Sequence, residues 1–155
     1  MIEQGSKAPA FTLYDSDKKK ISLEDLKGSN VLLLFFPLAF TSTCTKELCN
    51  VRDNLSLYNN SNCEVLGISV DSIYTLAKYK EEQHLNFKLL SDFNKEVSKA
   101  YNSLYSTFSY NMHGVSKRSA FIIDRSGIIK YAEVLENAGE IPDFDAIEKS
   151  LGTGN

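Results

Sequence analysis

The sequence predicts an α/β domain built on a mixed or parallel sheet, and three features carry that expectation. From Val31 onward, short apolar runs alternate with stretches in which apolar residues recur every three or four positions, the pattern of strands followed by helices. One run, Val31 to Phe36, is apolar throughout, as a central strand covered on both faces is. The 155 residues are 43% hydrophobic and 24% charged, a globular balance, and that length suits one domain spanning 1–155.

The elements follow in order. Phe11 to Tyr14 and Lys20 to Ser22 flank the turn-prone Asp15-Ser16-Asp17 and read as a short hairpin. Pro37 ends the Val31 strand, because proline has no N–H for the ladder. After the polar Thr41-Ser42-Thr43, the spacing of Cys44, Leu48, Val51, Leu55 and Tyr58 predicts one helix. Glu64 to Val70 is the next strand, followed by a helix capped by Asp71 or Ser72 whose inward face carries Ile73, Leu76 and Ala77.

A short strand at Phe87 to Leu90 precedes a helix with Val97, Ala100, Tyr101 and Leu104 on one side and Asp92 to Asn94 as capping side chains. Tyr105 to Gly114 reads as a loop. Ser119 to Asp124 and Ile128 to Leu135 are strands joined through Arg125-Ser126-Gly127, with glycine where a positive φ is convenient. A last helix turns Phe144, Ile147 and Leu151 inward. No internal repeat or linker interrupts the chain.

Several functions are disfavoured. The net charge is −3 and the basic residues are scattered, apart from Lys18-Lys19-Lys20, so a nucleic-acid face is not expected. The longest apolar run is about half the ~20 residues a membrane helix needs, so no membrane partner is expected either. Met1 to Ser6 has no basic, apolar leader, and the expectation is a cytoplasmic protein. Three cysteines in such a compartment point to chemistry or packing rather than to a disulfide framework.

Cys44 stands where the helix pattern begins, just after a buried strand and a polar turn. A thiol there faces unpaired backbone N–H groups and the positive end of the helix dipole, both of which favour a thiolate. The bland alternative is a small apolar side chain filling a corner. Cys44, Cys49, His84 and His113 fit no standard metal spacing, so no metal is assigned.

The stretch Pro37-Leu-Ala-Phe-Thr41-Ser-Thr-Cys44 resembles the active-site signature of the peroxiredoxins, proline-x3-threonine-x2-cysteine. Two further segments resemble the family: Gly5-x-x-Ala8-Pro9-x-Phe11-x-Leu13, and Gly114-Val115-x-x-Arg118-x-x-Phe121-x-Ile123-Asp124-x-x-Gly127. The resemblance implies a thioredoxin-like fold, a central mixed sheet flanked by helices. It also implies a peroxidase in which Cys44 attacks the O–O bond of hydrogen peroxide or an organic hydroperoxide.

In that reading Pro37 shapes the strand end, Thr41 accepts a hydrogen bond from the peroxide, and Arg118 stabilises the thiolate and the departing oxygen. The amides of Thr43 and Cys44 help hold the peroxide, and Glu47 orients the arginine. Without the resemblance, Arg118 is a surface ion pair and Glu47 an ordinary first-turn glutamate. No haem, flavin or metal cofactor is implied, because sulfur carries the two electrons.

Cys49 gives the cysteine-x4-cysteine spacing of the Q-type peroxiredoxins, or bacterioferritin comigratory proteins. The resemblance therefore implies a Cys44–Cys49 disulfide recycled by thioredoxin or a glutaredoxin-like reductant. In a helix, residues five apart have Cα atoms roughly 8–9 Å apart, beyond the ~7 Å a disulfide spans, so the helix start must unwind. The loop Phe35 to Thr41 is instead more like the single-cysteine alkyl hydroperoxide reductase E type, and resolution by an external thiol stays open. Cys63 reads as structural.

Leu38, Phe40, Phe108 and Tyr110 line either a pocket for alkyl peroxides or a homodimer interface. A thioredoxin-like disulfide reductase is the chief competing enzyme, but Glu47 stands where its second cysteine would be. A binding module that kept the fold and lost the chemistry would have lost Pro37, Thr41, Cys44 or Arg118, and all four are present.

Overall fold

The computed structural model describes residues 2–152; Met1 and 153–155, the ends of the expected 1–155 span, lie outside the described residues. The seven strands are β1 (Thr12–Asp15), β2 (Lys20–Ser22), β3 (Asn30–Phe35), β4 (Cys63–Ser69), β5 (Lys88–Ser91), β6 (Ser119–Ile123) and β7 (Ile129–Val134). The helices are α1 (Ser42–Asp53), α2 (Leu55–Asn60), α3 (Ile73–Gln83), α4 (Glu96–Ala100) and α5 (Phe144–Ser150). No helix among these residues is long and apolar enough to cross a membrane.

The strands form one mixed sheet in the order β2-β1-β5-β4-β3-β6-β7. The inner strands β3, β4 and β5 are parallel, while β1, β6 and β7 pair antiparallel to their neighbours. All six residues of β3 are buried, which explains its unbroken apolar run. Alternate residues serve two cores. Leu32, Leu34 and Phe36 face Cys44, Leu48, Val51, Leu76, Tyr79 and Ile147, whereas Val31, Leu33 and Phe35 face Phe11, Val97 and Tyr101. Burying each such aliphatic side chain stabilises the fold by about 1.5–3 kcal/mol.

Both expected hairpins are present. The β6–β7 turn closes with Gly127 at φ +87, and Asp124 Oδ1 accepts from the N–H groups of Ser126 (2.9 Å) and Ile128 (3.0 Å). The Gly5 to Leu13 segment is tied down by Ala8 N–H on the Gly127 carbonyl (2.9 Å) and Tyr101 O–H on the Pro9 carbonyl (2.6 Å).

Three details of the expected helices change, and the choice between two caps is decided. The stripe from Cys44 to Tyr58 is divided at Asn54, whose side chain bonds back to the Asn50 carbonyl at 2.8 Å; the stripe stays in phase across the one-residue break. Ser72, not Asp71, caps α3, its Oγ accepting from Thr75 N–H at 3.1 Å. Leu76 and Tyr79 form the buried face of α3, and Ala77 is exposed. In α4, Ser98 rather than Ala100 is buried beside Val97, because Ser98 Oγ meets Ser116 Oγ at 2.7 Å.

Candidate active site

The site grows out of the C-terminal end of β3. Phe36 N–H still bonds to the Ile68 carbonyl (2.9 Å), and then the buried Pro37 ends the ladder. The chain turns through Phe40 at φ +67. Thr41 is the extended N-cap residue of α1, and its hydroxyl donates to the Leu38 carbonyl at 2.8 Å, which leaves its lone pairs able to accept. The N–H of Thr45 bonds back to the Thr41 carbonyl at 3.0 Å. Helix geometry therefore leaves the N–H groups of Ser42, Thr43 and Cys44 without carbonyls of their own. Cys44 is the third residue of α1 and is fully buried.

Arg118 reaches the same space from the start of β6, which it immediately precedes. Ser119 pairs with Phe35, so the residue before β6 stands beside the strand end from which the Pro37 loop departs. The guanidinium is 2% exposed and makes four hydrogen bonds to three acceptors: Nη2 to Cys44 Sγ (3.2 Å), Nη1 to Glu47 Oε1 (2.7 Å), and Nε (3.3 Å) and Nη2 (3.0 Å) to the Ala138 carbonyl. Burial works against its charge, but Glu47 and Cys44 outweigh burial and hold it above its ordinary value.

A fixed guanidinium meets the sulfur in the first turn of α1, where the helix N–H groups lack helical acceptors, and such preorganised donors and dipoles stabilise negative charge without reorganisation. Glu47 is fully buried one turn on. Burial pushes its carboxyl up to about 7, against the pull of Arg118 and with a smaller push from Glu133.

The structure thus brings Cys44, Arg118 and Glu47 into direct contact, with Pro37, Thr41 and Thr43 on the adjoining loop and first helical turn. Cys49 stands apart. It is half-buried further along α1, and its thiol meets Gln83 Oε1 of α3 at 3.6 Å. Cys63 is buried in β4, where burial pushes its thiol up to about 12. All three thiols are free. Of the four expected apolar residues, Leu38 and Phe40 lie on the Thr41 loop, whereas Phe108 stacks on Tyr105 (5.2 Å) and Tyr110 is 95% exposed.

Three contributors are unexpected at the site: in the sequence Asp71 reads only as a helix cap, and Tyr79 and Ala138 are not singled out. Asp71 Oδ2 accepts from the Ala39 N–H (2.8 Å) and the Ser69 hydroxyl (2.7 Å), clamping the loop that carries Thr41. Tyr79 bonds through its hydroxyl to Thr45 Oγ1 (2.9 Å) and packs its ring against Phe40, with centroids 5.0 Å apart. The Ala138 carbonyl fixes the guanidinium and, being backbone, leaves no mark in a side-chain pattern. For Asp71 the available signal was a carboxylate at the end of a strand adjoining the Pro37 strand.

Comparison with known proteins gives a consistent result. The AhpC/TSA family matches residues 4–132. Alkyl hydroperoxide reductase E of Mycobacterium tuberculosis is 40% identical over 146 residues, covering 92% of each chain. Among solved structures, the peroxidoxin BcpB of Mycobacterium tuberculosis superposes with a TM-score of 0.87 at 25% identity, over 100% of this chain and 99% of that one. The reduced 2-Cys peroxiredoxin of Plasmodium vivax gives a TM-score of 0.84 at 32% identity, over 96% and 80% of the two chains.

Proposed function

The chain belongs to the AhpC/TSA family and is a peroxiredoxin, a thiol peroxidase that reduces a hydroperoxide at the expense of a reductant, and on that premise we propose that Cys44 is its peroxidatic thiol. One observation carries the assignment: Arg118 Nη2 lies 3.2 Å from a sulfur held at a helix N-terminus. The thiolate attacks the terminal peroxide oxygen, the O–O bond breaks, and sulfur becomes a sulfenic acid as the alcohol or water leaves. Thr41 accepts the hydrogen bond of the incoming peroxide, the amides of Thr43 and Cys44 hold its oxygens, and Arg118 stabilises charge on the leaving oxygen. Pro37 fixes the loop, and Glu47 holds the guanidinium in place.

Cys49 then attacks the sulfenic acid, water departs, and the Cys44–Cys49 disulfide is reduced by thioredoxin or a glutaredoxin-like dithiol. Hydrogen peroxide and organic hydroperoxides are the substrates, and the Phe40 ring, 50% exposed beside Thr41, suits the alkyl kind. The three free thiols suit a reducing, cytoplasmic setting. A second reading, a one-cysteine cycle completed by an external thiol, is favoured by the continuity of α1 through both Cys44 and Cys49.

Two variants test the proposal. Cys44→Ser should abolish peroxide turnover with a dithiol donor, and undiminished turnover would falsify the assignment. Peptide mapping after peroxide treatment should find the Cys44–Cys49 disulfide in the wild type and none in Cys49→Ser. A wild type that accumulates only sulfenic acid selects the one-cysteine cycle.

A further inference from the structure

Three ionisable groups share one closed space. Glu47 and Cys44 are fully buried, and the Arg118 between them is 2% exposed. A single guanidinium thus faces two groups that can each carry a negative charge, Glu47 Oε1 at 2.7 Å and Cys44 Sγ at 3.2 Å. The other carboxyl oxygen, Glu47 Oε2, is buried with no hydrogen-bond partner among the described residues. An ionised carboxylate with a stripped oxygen is costly to bury, and a neutral acid far less so.

The remaining groups around Glu47 do not help an anion. Glu133 of β7 adds like charge and is occupied by the Tyr131 hydroxyl (2.8 Å) and the Asp143 N–H (3.0 Å). Tyr79 of α3 is a phenol that burial keeps neutral, its value pushed up to about 12. Arg118 is the only cation paired with Glu47 among the described residues. With the sulfur as thiolate, the trio is electrically balanced only when the carboxyl is protonated.

We propose that Glu47 is the charge-compensating partner of Cys44: its unpaired oxygen holds a proton while the sulfur is a thiolate, and releases it when peroxide oxidises that sulfur. The inference rests on Cys44 being the peroxidatic thiol. The balanced step is Cys44–S⁻ + Glu47–COOH + ROOH → Cys44–SOH + Glu47–COO⁻ + ROH. The S–O bond forms, the O–O bond breaks, and sulfur supplies the electron pair. The leaving alkoxide takes its proton from water, and the proton shed by Glu47 replaces it. Glu47 does not touch the peroxide and acts through Arg118, which ends paired with a carboxylate beside a neutral sulfenic acid.

The test counts protons. Cys49→Ser protein, which stops at the sulfenic acid, is mixed with one equivalent of hydrogen peroxide in weakly buffered indicator dye at about pH 6, where a carboxyl titrating near 7 is mostly protonated. Sulfenic acid is counted by dimedone trapping. The expected result is no net proton uptake per sulfenic acid formed. Adding Glu47→Gln should raise uptake to one, because solvent alone then protonates the alkoxide. Uptake in both proteins, or in neither, overturns the inference.

Absence of sulfenic acid in the Cys49→Ser protein would strike the assignment of Cys44 instead. Should the Glu47→Gln protein not fold, infrared difference spectra of the Cys49→Ser protein decide. A protonated-carboxyl band is expected to vanish on oxidation, and its persistence overturns the inference.

Discussion

Replacing Asp71 with alanine should uncouple the active-site loop from the sheet. Asp71 Oδ2 receives both the Ala39 N–H (2.8 Å) and the Ser69 hydroxyl (2.7 Å), and Ala39 is buried, so water does not readily replace the lost acceptor. A buried donor left unsatisfied costs about 1–3 kcal/mol, and loss of a second charge-assisted bond brings the expected destabilisation to about 2–4 kcal/mol. Ala39 is two residues from Thr41, so a displacement of about 1 Å passes to the hydroxyl proposed to meet the peroxide, which can lower the oxidation rate by ~10²-fold. The Asp71→Asn variant should lose only about 1 kcal/mol and most of the rate should survive, since the amide oxygen can accept both bonds. Urea denaturation gives the stability, and stopped-flow measurement of Cys44 oxidation gives the rate. If Asp71→Ala loses stability while its oxidation rate stays within about twofold of wild type, the clamp supports the fold alone and the positioning argument fails.

Arg118→Met, close in shape but uncharged, should lower the second-order oxidation rate by about 10²–10³-fold, as loss of one preorganised donor does, with peroxide consumption as the readout. Thr41→Val should cost about 10²-fold in the same assay while Thr41→Ser keeps most of the rate; an equal loss in Thr41→Ser would mean that the hydroxyl alone does not carry the role. Glu47 in the folded protein titrates near 7 instead of its ordinary 4.5, so its contribution to stability is present below about 4.5 and is lost as pH rises through 7. Glu47→Gln removes that loss, and its stability relative to wild type should climb by on the order of 3 kcal/mol between pH 4.5 and 8, read from urea midpoints across that range.

The strands were legible because a short apolar run bounded by Pro or Gly has few alternatives, and β3 in particular is buried at every position. Helix faces were less so. On α3, Ala77 looked inward from spacing alone, yet Tyr79 takes the buried position because its ring fills the space between Phe36 and Phe40 while its hydroxyl finds Thr45. Asp71 and Ser72 are both good caps, and local propensity cannot see that Ala39, 32 positions away, competes for one of them. The contact of Cys44 with Arg118 spans 74 positions, so no periodicity joins the two; a motif resemblance found the pair, and β3–β6 pairing explains it.

The proposed disulfide asks α1 to be both a rigid cradle and a segment that opens. Rigidity comes from the buried side chains of Cys44, Glu47, Leu48 and Val51 and from the bond of Glu47 to Arg118. Weakness is built into the same end: Thr41 gives α1 no side-chain cap, and the first turn has no acidic residue to meet the dipole. Oxidation shifts this balance. An oxygen added to a fully buried sulfur overfills a packed site, which typically costs about 1–3 kcal/mol, and it removes the proposed anion that Arg118 faces. The reaction product therefore destabilises the turn that must unwind before Cys49 can reach the sulfur. Hydrogen exchange at the α1 amides should accelerate by about 5–30-fold in the sulfenic acid form of the Cys49→Ser protein, with α3 and β4 unchanged. Equal protection in the reduced and oxidised forms would mean that opening is not driven by the oxygen, and the one-cysteine cycle would become the better account.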